Sequence, residues 1–135
     1  MGRLHCIAHN AMFDAAILAW IFGIVPGMWF DTMSAARAID GPDVSVSLKS
    51  CAERYGIGVK GTEVVAALGK RRLNFTDEEL AQYGEYCKND CDITLPLFAI
   101  YAERMSAVEL KLVDLTIRMF SEPVLDWTSR SWSCT

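Results

Sequence analysis

An apolar segment, a polar pair and a helical pattern follow one another at the start of the sequence, and this order most constrains the fold. Residues 3–8 are mostly apolar, which predicts a buried strand. Asn10 is a suitable N-cap, and Gly23 can end a helix in the left-handed conformation. Between them, four residues recur at helical spacing: Phe13, Ile17, Trp20 and Ile21. Residues 28–33, MWFDTM, are β-prone and predict a second strand.

Three further helices are predicted from the residues that can cap them. The caps are Ser47, the capping box Thr76-x-x-Glu79 and the capping box Ser106-x-x-Glu109. The first helix runs to Tyr55, the second begins at Asp77, and the third ends near Glu122. Pro96 implies a kink or a new segment in the second of these helices. Residues 57–72 predict a loop, and residues 126–135 predict a frayed terminus.

The order of strand, helix, strand and helices predicts an α/β domain whose helices cover a small sheet. A length of 135 residues and a hydrophobic content of 52% suit one compact unit. Two visible strands are a poor basis for a stable sheet, which suggests that a part of it is missing. Three aromatic residues are expected in the core: Phe13, Trp20 and Trp29.

Charge and cysteine content narrow the class of protein. The net charge of −4 argues against a binder that holds nucleic acid on a basic surface, whereas a site made of carboxylates is compatible with it. The five cysteines contain no C-x-x-C pair and are expected to be buried free thiols in a reducing cytosol. Residues 15–30 are apolar but too interrupted to span a membrane, so we expect a soluble, cytoplasmic protein.

Two aspartates each follow a polar partner by one helical turn. Asn10-x-x-x-Asp14 places an amide and a carboxylate at the start of the first predicted helix. Tyr86-x-x-x-Asp90 places a phenol and a carboxylate on one face of the helix that begins at Asp77.

These motifs resemble those of a known family. AHNAMFD is similar to the second motif of the DEDD 3′–5′ exonucleases, and YCKND followed by CDIT is similar to their third motif in its tyrosine form. The WFDTM and SLKSCAERYGI stretches also resemble the proofreading domains of family A DNA polymerases. The resemblance divides the chain into a partial exonuclease domain, residues 1–104, and a connection to a polymerase domain, residues 105–135.

The resemblance implies an RNase H-like fold and hydrolysis of the 3′-terminal phosphodiester of single-stranded DNA with two Mg²⁺ or Mn²⁺ ions. It makes Asp90 a direct ligand of the metal that holds the attacking water. Asp14 would act on the second metal through its water shell. Tyr86 would orient the attacking water, and Asn10 would shape the site or contact the terminal nucleotide.

One part of the family pattern is absent at the expected position. The family has a D-x-E on its first strand, whereas the D-x-E in this sequence is Asp77-Glu78-Glu79, at a predicted helix start. We therefore expect that the first strands are missing, that the fold is incomplete and that the chain alone is inactive. Two alternatives stay open: a non-catalytic RNase H-like remnant that binds nucleic acid, and an RNA 3′–5′ exonuclease.

Several other polar residues have structural interpretations. We expect Asp31 to be a cap or turn residue and Asp92, about 200° around the helix from Asp90, to face away from the site. His5 and His9 are weak candidates for a general base. The basic cluster at residues 70–72 is interpreted as a solvated loop, with phosphate contact as the alternative.

Overall fold

The computed structural model describes residues 4–58 and 75–122, and a parallel β-α-β unit lies at the centre of this part. Strand β1 spans His5–Ala8, helix α1 spans Ala11–Phe22, and strand β2 spans Met28–Asp31. The strands pair in parallel, with Cys6 opposite Trp29 and Ile7 opposite Phe30. Parallel neighbours require a crossover, which α1 supplies. The predicted α/β class is therefore confirmed.

Within the described residues, four more helices follow β2: α2 at Thr32–Asp40, α3 at Leu48–Tyr55, α4 at Asp77–Ala102 and α5 at Ala107–Ser121. The predicted cap at Ser47 and both capping boxes are confirmed. Helix α4 continues through Pro96, so no new segment begins there. Helix α2 was not predicted, because its first residues were assigned to the second strand, which ends at Asp31.

The helices cover both faces of the sheet. Phe30 points into a core formed with α2, α3 and α4, and Leu97 and Tyr101 of α4 are fully buried there. Trp29, the preceding residue of β2, points to the opposite face and packs with α1 and with Ile117 of α5. The alternation of side chains along a strand thus divides the core into two parts.

The predicted burial of β1 and of two core aromatics is wrong. Strand β1 alternates between exposed and half-buried residues and is not a buried strand. Phe13 and Trp20 are 66% and 59% exposed, and only Trp29 of the three predicted core aromatics is buried. Helix α1 is apolar around its whole circumference, so periodicity does not identify the buried face. Its small residues Ala11 and Ala15 contact the sheet, whereas bulky ones such as Phe13, Trp20 and Ile21 point outward.

Asp31, at the end of β2, joins the starts of two helices. Its Oδ1 accepts hydrogen bonds from the backbone N–H groups of Asn10 at 2.8 Å, Ala11 at 3.3 Å and Met33 at 3.1 Å. Its Oδ2 accepts one from the Ser34 hydroxyl at 2.6 Å. The predicted capping role of Asp31 is confirmed, and it serves α1 as well as α2.

A second carboxylate, that of half-buried Asp40, joins three helices. It accepts hydrogen bonds from Arg54 at 2.6 Å, from the Tyr55 hydroxyl at 2.6 Å and from the Tyr101 hydroxyl at 2.7 Å. Desolvation acts to raise the pKa of Asp40, but the two phenol hydrogen bonds and the charge of Arg54 outweigh it, so the pKa is lowered. Helix α4 is thereby held against α2 and α3.

Helix α5 is held against β2 and α1 by polar contacts. Asp114 accepts a hydrogen bond from the backbone N–H of Trp29 at 2.7 Å, and Arg118 donates to the carbonyl of Pro26 at 2.7 Å. Trp20 donates to the carbonyl of Ser121 at 2.8 Å. The division of the chain at residue 104 stays a prediction.

Some expectations concern residues outside the described part. These are residues 59–72 of the predicted loop, which include the basic cluster at residues 70–72, and the frayed terminus at residues 126–135, which includes Cys134. In the part that is described, no helix combines the length and the apolar character needed to cross a membrane.

Replacing Asp31 by Ala should destabilise the protein strongly. Two helix starts lose their capping oxygen and buried N–H groups lose their acceptor, so we expect the free energy of unfolding to fall by about 2–4 kcal/mol. Urea unfolding followed by circular dichroism measures this. The matched control is Asp43→Ala in an exposed turn, and an equal effect of the two substitutions would contradict the capping role.

Replacing Asp40 by Asn should destabilise the protein in a pH-dependent manner. The folded pKa of Asp40 is lowered, so its ionised form stabilises the folded state above the unfolded pKa of about 3.9. This contribution is lost as the pH falls through the folded pKa. We expect a loss of about 2 kcal/mol at pH 7 that shrinks below about pH 4. Unfolding at several pH values tests this, with exposed Glu53→Gln as control; a pH-independent loss would contradict it.

Candidate functional site

A cleft of about 650 Å³ opens between the β1–α1 segment and helix α4. We call it the carboxylate cleft, because Asp14, Asp90 and Asp92 are among the residues that line it. The complete lining is Cys6, Ile7, Ala8, His9, Asp14, Leu18, Trp29, Leu48, Cys87, Asp90, Cys91, Asp92, Thr94 and Leu95. The structure thus brings together carboxylates that are far apart in the sequence.

Asp14 reaches the cleft from the first turn of α1. Desolvation raises its pKa, its own backbone hydrogen bond acts in the opposite direction, and the charge of Asp31 adds to the rise. The anionic form of Asp14 is therefore held at a cost, although the residue as a whole is exposed. A cation in the cleft would relieve that cost.

Asp90 reaches the cleft from the middle of α4. The residue is half-buried, and its Oδ1 atom is shielded from solvent. Its backbone carbonyl accepts a hydrogen bond from the Thr94 hydroxyl at 2.7 Å. The core residues Ile93 and Leu97 anchor this stretch of α4, so the position of Asp90 is set by packing.

Tyr86 and Asn10 do not line this cleft. Tyr86 is buried, and its ring stacks on that of Tyr83 with centroids 6.1 Å apart. Asn10 contributes to a different, mostly apolar groove, which Trp20 and Phe120 also line. Their predicted roles in the site stay predictions.

Asn10 occupies the N-cap position of α1 in an unexpected way. Its backbone is left-handed, with φ 70° and ψ 52°, and its side chain makes no capping hydrogen bond. Asparagine tolerates this conformation better than most residues. The capping oxygen belongs to Asp31 instead, so the expected side-chain cap at Asn10 is wrong.

Asp92 lines the cleft, so the expectation that it faces away is wrong. The lining residues of α4, from Cys87 to Leu95, extend over more than half of the circumference of the helix. An angular separation of about 200° from Asp90 therefore does not remove Asp92 from the cleft wall.

His9 also lines the cleft but has a structural role. Its Nδ1 lies 2.9 Å from the Thr32 hydroxyl, and its Nε2 lies 3.0 Å from the carbonyl of Val46. Because a carbonyl oxygen only accepts, Nε2 must carry a proton. The ring joins the end of β1 to the start of α2 and to the segment before α3.

The expectation of buried cysteines holds for Cys51 alone among the described residues. Cys6 is half-buried, while Cys87 and Cys91 are exposed. The spacing of Cys87 and Cys91, i and i+4, places both on one face of α4. The sequence signal for this pair is C-x-x-x-C, which differs from the metal-binding and redox spacing C-x-x-C.

Among the described residues, no group of three His, Cys, Asp or Glu side chains is placed to hold a metal ion. The chemistry of the cleft nevertheless fits a hard cation, because carboxylate oxygens are the preferred ligands of Mg²⁺ and Mn²⁺.

Comparison with known proteins identifies the class. The family model described as 3′–5′ exonuclease, of the kind found in family A DNA polymerases, matches residues 3–105. The chain therefore belongs to the 3′–5′ exonuclease domain family of the family A DNA polymerases. Neither the curated proteins nor the solved structures give a significant match.

Replacing Asp14 by Asn should stabilise the protein slightly near neutral pH. The folded pKa of Asp14 is raised, so its ionised form lowers stability at pH values above that pKa. The penalty is relieved as the pH falls through the folded pKa and is absent below the unfolded value of about 3.9. Solvent screening keeps the gain below about 1 kcal/mol.

Thermal unfolding at pH 7 and pH 4 without divalent cations measures this gain, with Asp43→Asn as control. A loss of stability in Asp14→Asn at pH 7 would show that the ionised carboxylate supports the fold.

Proposed function

We propose that this chain is part of a proofreading exonuclease domain that hydrolyses the 3′-terminal phosphodiester of single-stranded DNA with two divalent metal ions. The observation that carries the proposal is that Asp14 and Asp90, from separate helices, line one cleft. Membership of the exonuclease family supports the reaction class. The parallel β-α-β unit with helices on both faces supports an RNase H-like fold.

Asp90 and Asp14 are the proposed metal ligands. The shielded carboxylate oxygen of Asp90 suits direct coordination, whereas the exposed position of Asp14 suits contact through water. Divalent cations would supply activation of water and stabilisation of the leaving 3′-oxygen. Asp92, in the same wall, adds negative charge that favours cation entry.

The proposed roles of Tyr86 and Asn10 are supported by their motifs alone. Tyr86 would orient the attacking water, which requires its hydroxyl to reach the cleft from the buried position beside Tyr83. Asn10 would contact the terminal nucleotide. Because Asn10 caps α1 and lines the apolar groove that Trp20 also lines, such a contact would be at the start of α1.

A non-catalytic remnant that binds nucleic acid is the second candidate. It is favoured by the position of the D-x-E at residues 77–79, which begins helix α4 and does not lie on a strand. Glu79 closes the capping box with Thr76 there, so this D-x-E has a structural role. We therefore propose that the 135-residue chain alone has little activity.

Mn²⁺ should stabilise the chain through the carboxylate cleft. A ligand that binds only the folded state at ten times its Kd raises the free energy of unfolding by about 1.4 kcal/mol. We expect Mn²⁺ titration in thermal unfolding to show this for the natural chain and to lose it in Asp14→Asn and Asp90→Asn. Asp43→Asn should keep it, and an unchanged response in Asp90→Asn would refute the assignment of the ligands.

Single-stranded DNA should be hydrolysed slowly or not at all by the 135-residue chain with Mn²⁺. A labelled oligonucleotide resolved by gel electrophoresis measures this, and Asp90→Ala reports any contaminating nuclease. Robust hydrolysis that disappears in Asp90→Ala would exclude the remnant and contradict the proposed inactivity. Matched DNA and RNA oligonucleotides separate the DNA enzyme from an RNA exonuclease if activity is found.

A further inference from the structure

The wall of the carboxylate cleft carries thiols that the exonuclease reaction does not use. Cys87 and Cys91 are exposed and line the cleft from α4, and half-buried Cys6 lines it from β1. The two exposed cysteines flank Asp90 in the sequence, and Asp92 follows Cys91 directly. An incoming molecule that reaches these thiols therefore meets a negatively charged wall.

The spacing of the two exposed thiols decides which chemistry they can perform. Residues i and i+4 of a helix have Cβ atoms about 5–6 Å apart. A disulfide needs a Cβ separation of about 3.5–4.5 Å. Cys87 and Cys91 therefore do not close an internal disulfide while α4 is intact, and each must react with a separate molecule.

The other two described cysteines are protected. Cys51 is completely buried in the core. Cys6 is half-buried, and desolvation raises the pKa of its thiol, which lowers the fraction of reactive thiolate.

We propose that Cys87 and Cys91 form a thiol-modification site for small aliphatic disulfides, with a preference for disulfides that carry ammonium groups. The sulfur of each cysteine attacks one sulfur of the reagent and forms a mixed disulfide. The other half of the reagent leaves as a thiolate and takes up a proton. The protein thiol is oxidised and the reagent disulfide is reduced, so no further oxidant is needed.

The preference for cationic reagents follows from the carboxylates of the wall. Asp14, Asp90 and Asp92 attract an ammonium group and repel a carboxylate, and this steering weakens as salt screens it. The same thiol reacts with the cationic and the anionic reagent, so its degree of ionisation cancels in the ratio of the two rates. The ratio thus reports the electrostatic field at the thiols, to which the cleft carboxylates and the exposed pair Lys88–Glu85 contribute.

The experiment compares cystamine, which is cationic, with dithiodipropionate, an anionic disulfide of similar size. The chain carries Cys134→Ser, and peptide mass spectrometry follows each cysteine with time. The same chain unfolded in urea gives the intrinsic rate ratio of the two reagents. No nucleic acid is present, so the result is independent of the proposed exonuclease function.

We expect one adduct on Cys87 and one on Cys91, with Cys6 slower by about tenfold or more and Cys51 unreacted. The ratio of cystamine to dithiodipropionate rates should exceed that of the unfolded chain by roughly three- to tenfold at low salt. Asp92→Asn and high salt should each lower it.

Three outcomes would overturn the proposal. The first is reaction of Cys6 or Cys51 as fast as Cys87 and Cys91. The second is an internal disulfide between Cys87 and Cys91 in place of two adducts. The third is a folded-state rate ratio equal to that of the unfolded chain. If Asp92→Asn does not fold, the salt dependence of the rate ratio, measured on the chain with its natural cleft residues, tests the same electrostatic preference.

Discussion

The rest of the structure depends on the hydrogen bonds that the Asp31 carboxylate accepts. It lies at the end of β2, is 4% exposed, and accepts hydrogen bonds at the starts of both α1 and α2. The positive ends of two helix dipoles therefore share one negative charge. Desolvation is the main cause that raises the pKa of Asp14, one turn into α1, and the charge of Asp31 adds to that rise. The group that fixes the fold thus also adds to the cost of ionising a carboxylate of the candidate site.

The sequence predicted what is local and failed where burial depends on tertiary packing. The caps at Ser47, Thr76 and Ser106 were found because capping is decided within a few residues. The buried face of α1 was not predicted. Apolar residues surround this helix, so its small residues, and not periodicity, determine which face packs against the sheet. Helix α2 was missed because the strand signal of residues 28–33 continued past Asp31, whose side chain ends the strand.

In the candidate site, too, local motifs were predicted and features that depend on tertiary packing were not. The motifs identified Asp14 and Asp90, and the structure places both in one cleft. Periodicity could not show that this cleft extends far enough around α4 to include Asp92 and the thiols of Cys87 and Cys91. It also could not show that Tyr86 is buried beside Tyr83. These outcomes depend on how α4 docks, which Ile93, Leu97 and Tyr101 determine from the core.

Membership of the family does not decide whether the catalytic site is complete. The electrostatics of the carboxylate cleft bears on that second question. The family match over residues 3–105 covers both motifs, so it does not distinguish a working site from a partial one. A carboxylate whose pKa is raised by desolvation and by a neighbouring charge lowers stability unless a cation compensates it. Asp14 lies in the first turn of α1, where its negative charge complements the helix dipole and offsets part of that cost. A cation in the cleft would offset more of it, so the raised pKa supports the proposed cation site alongside the motifs.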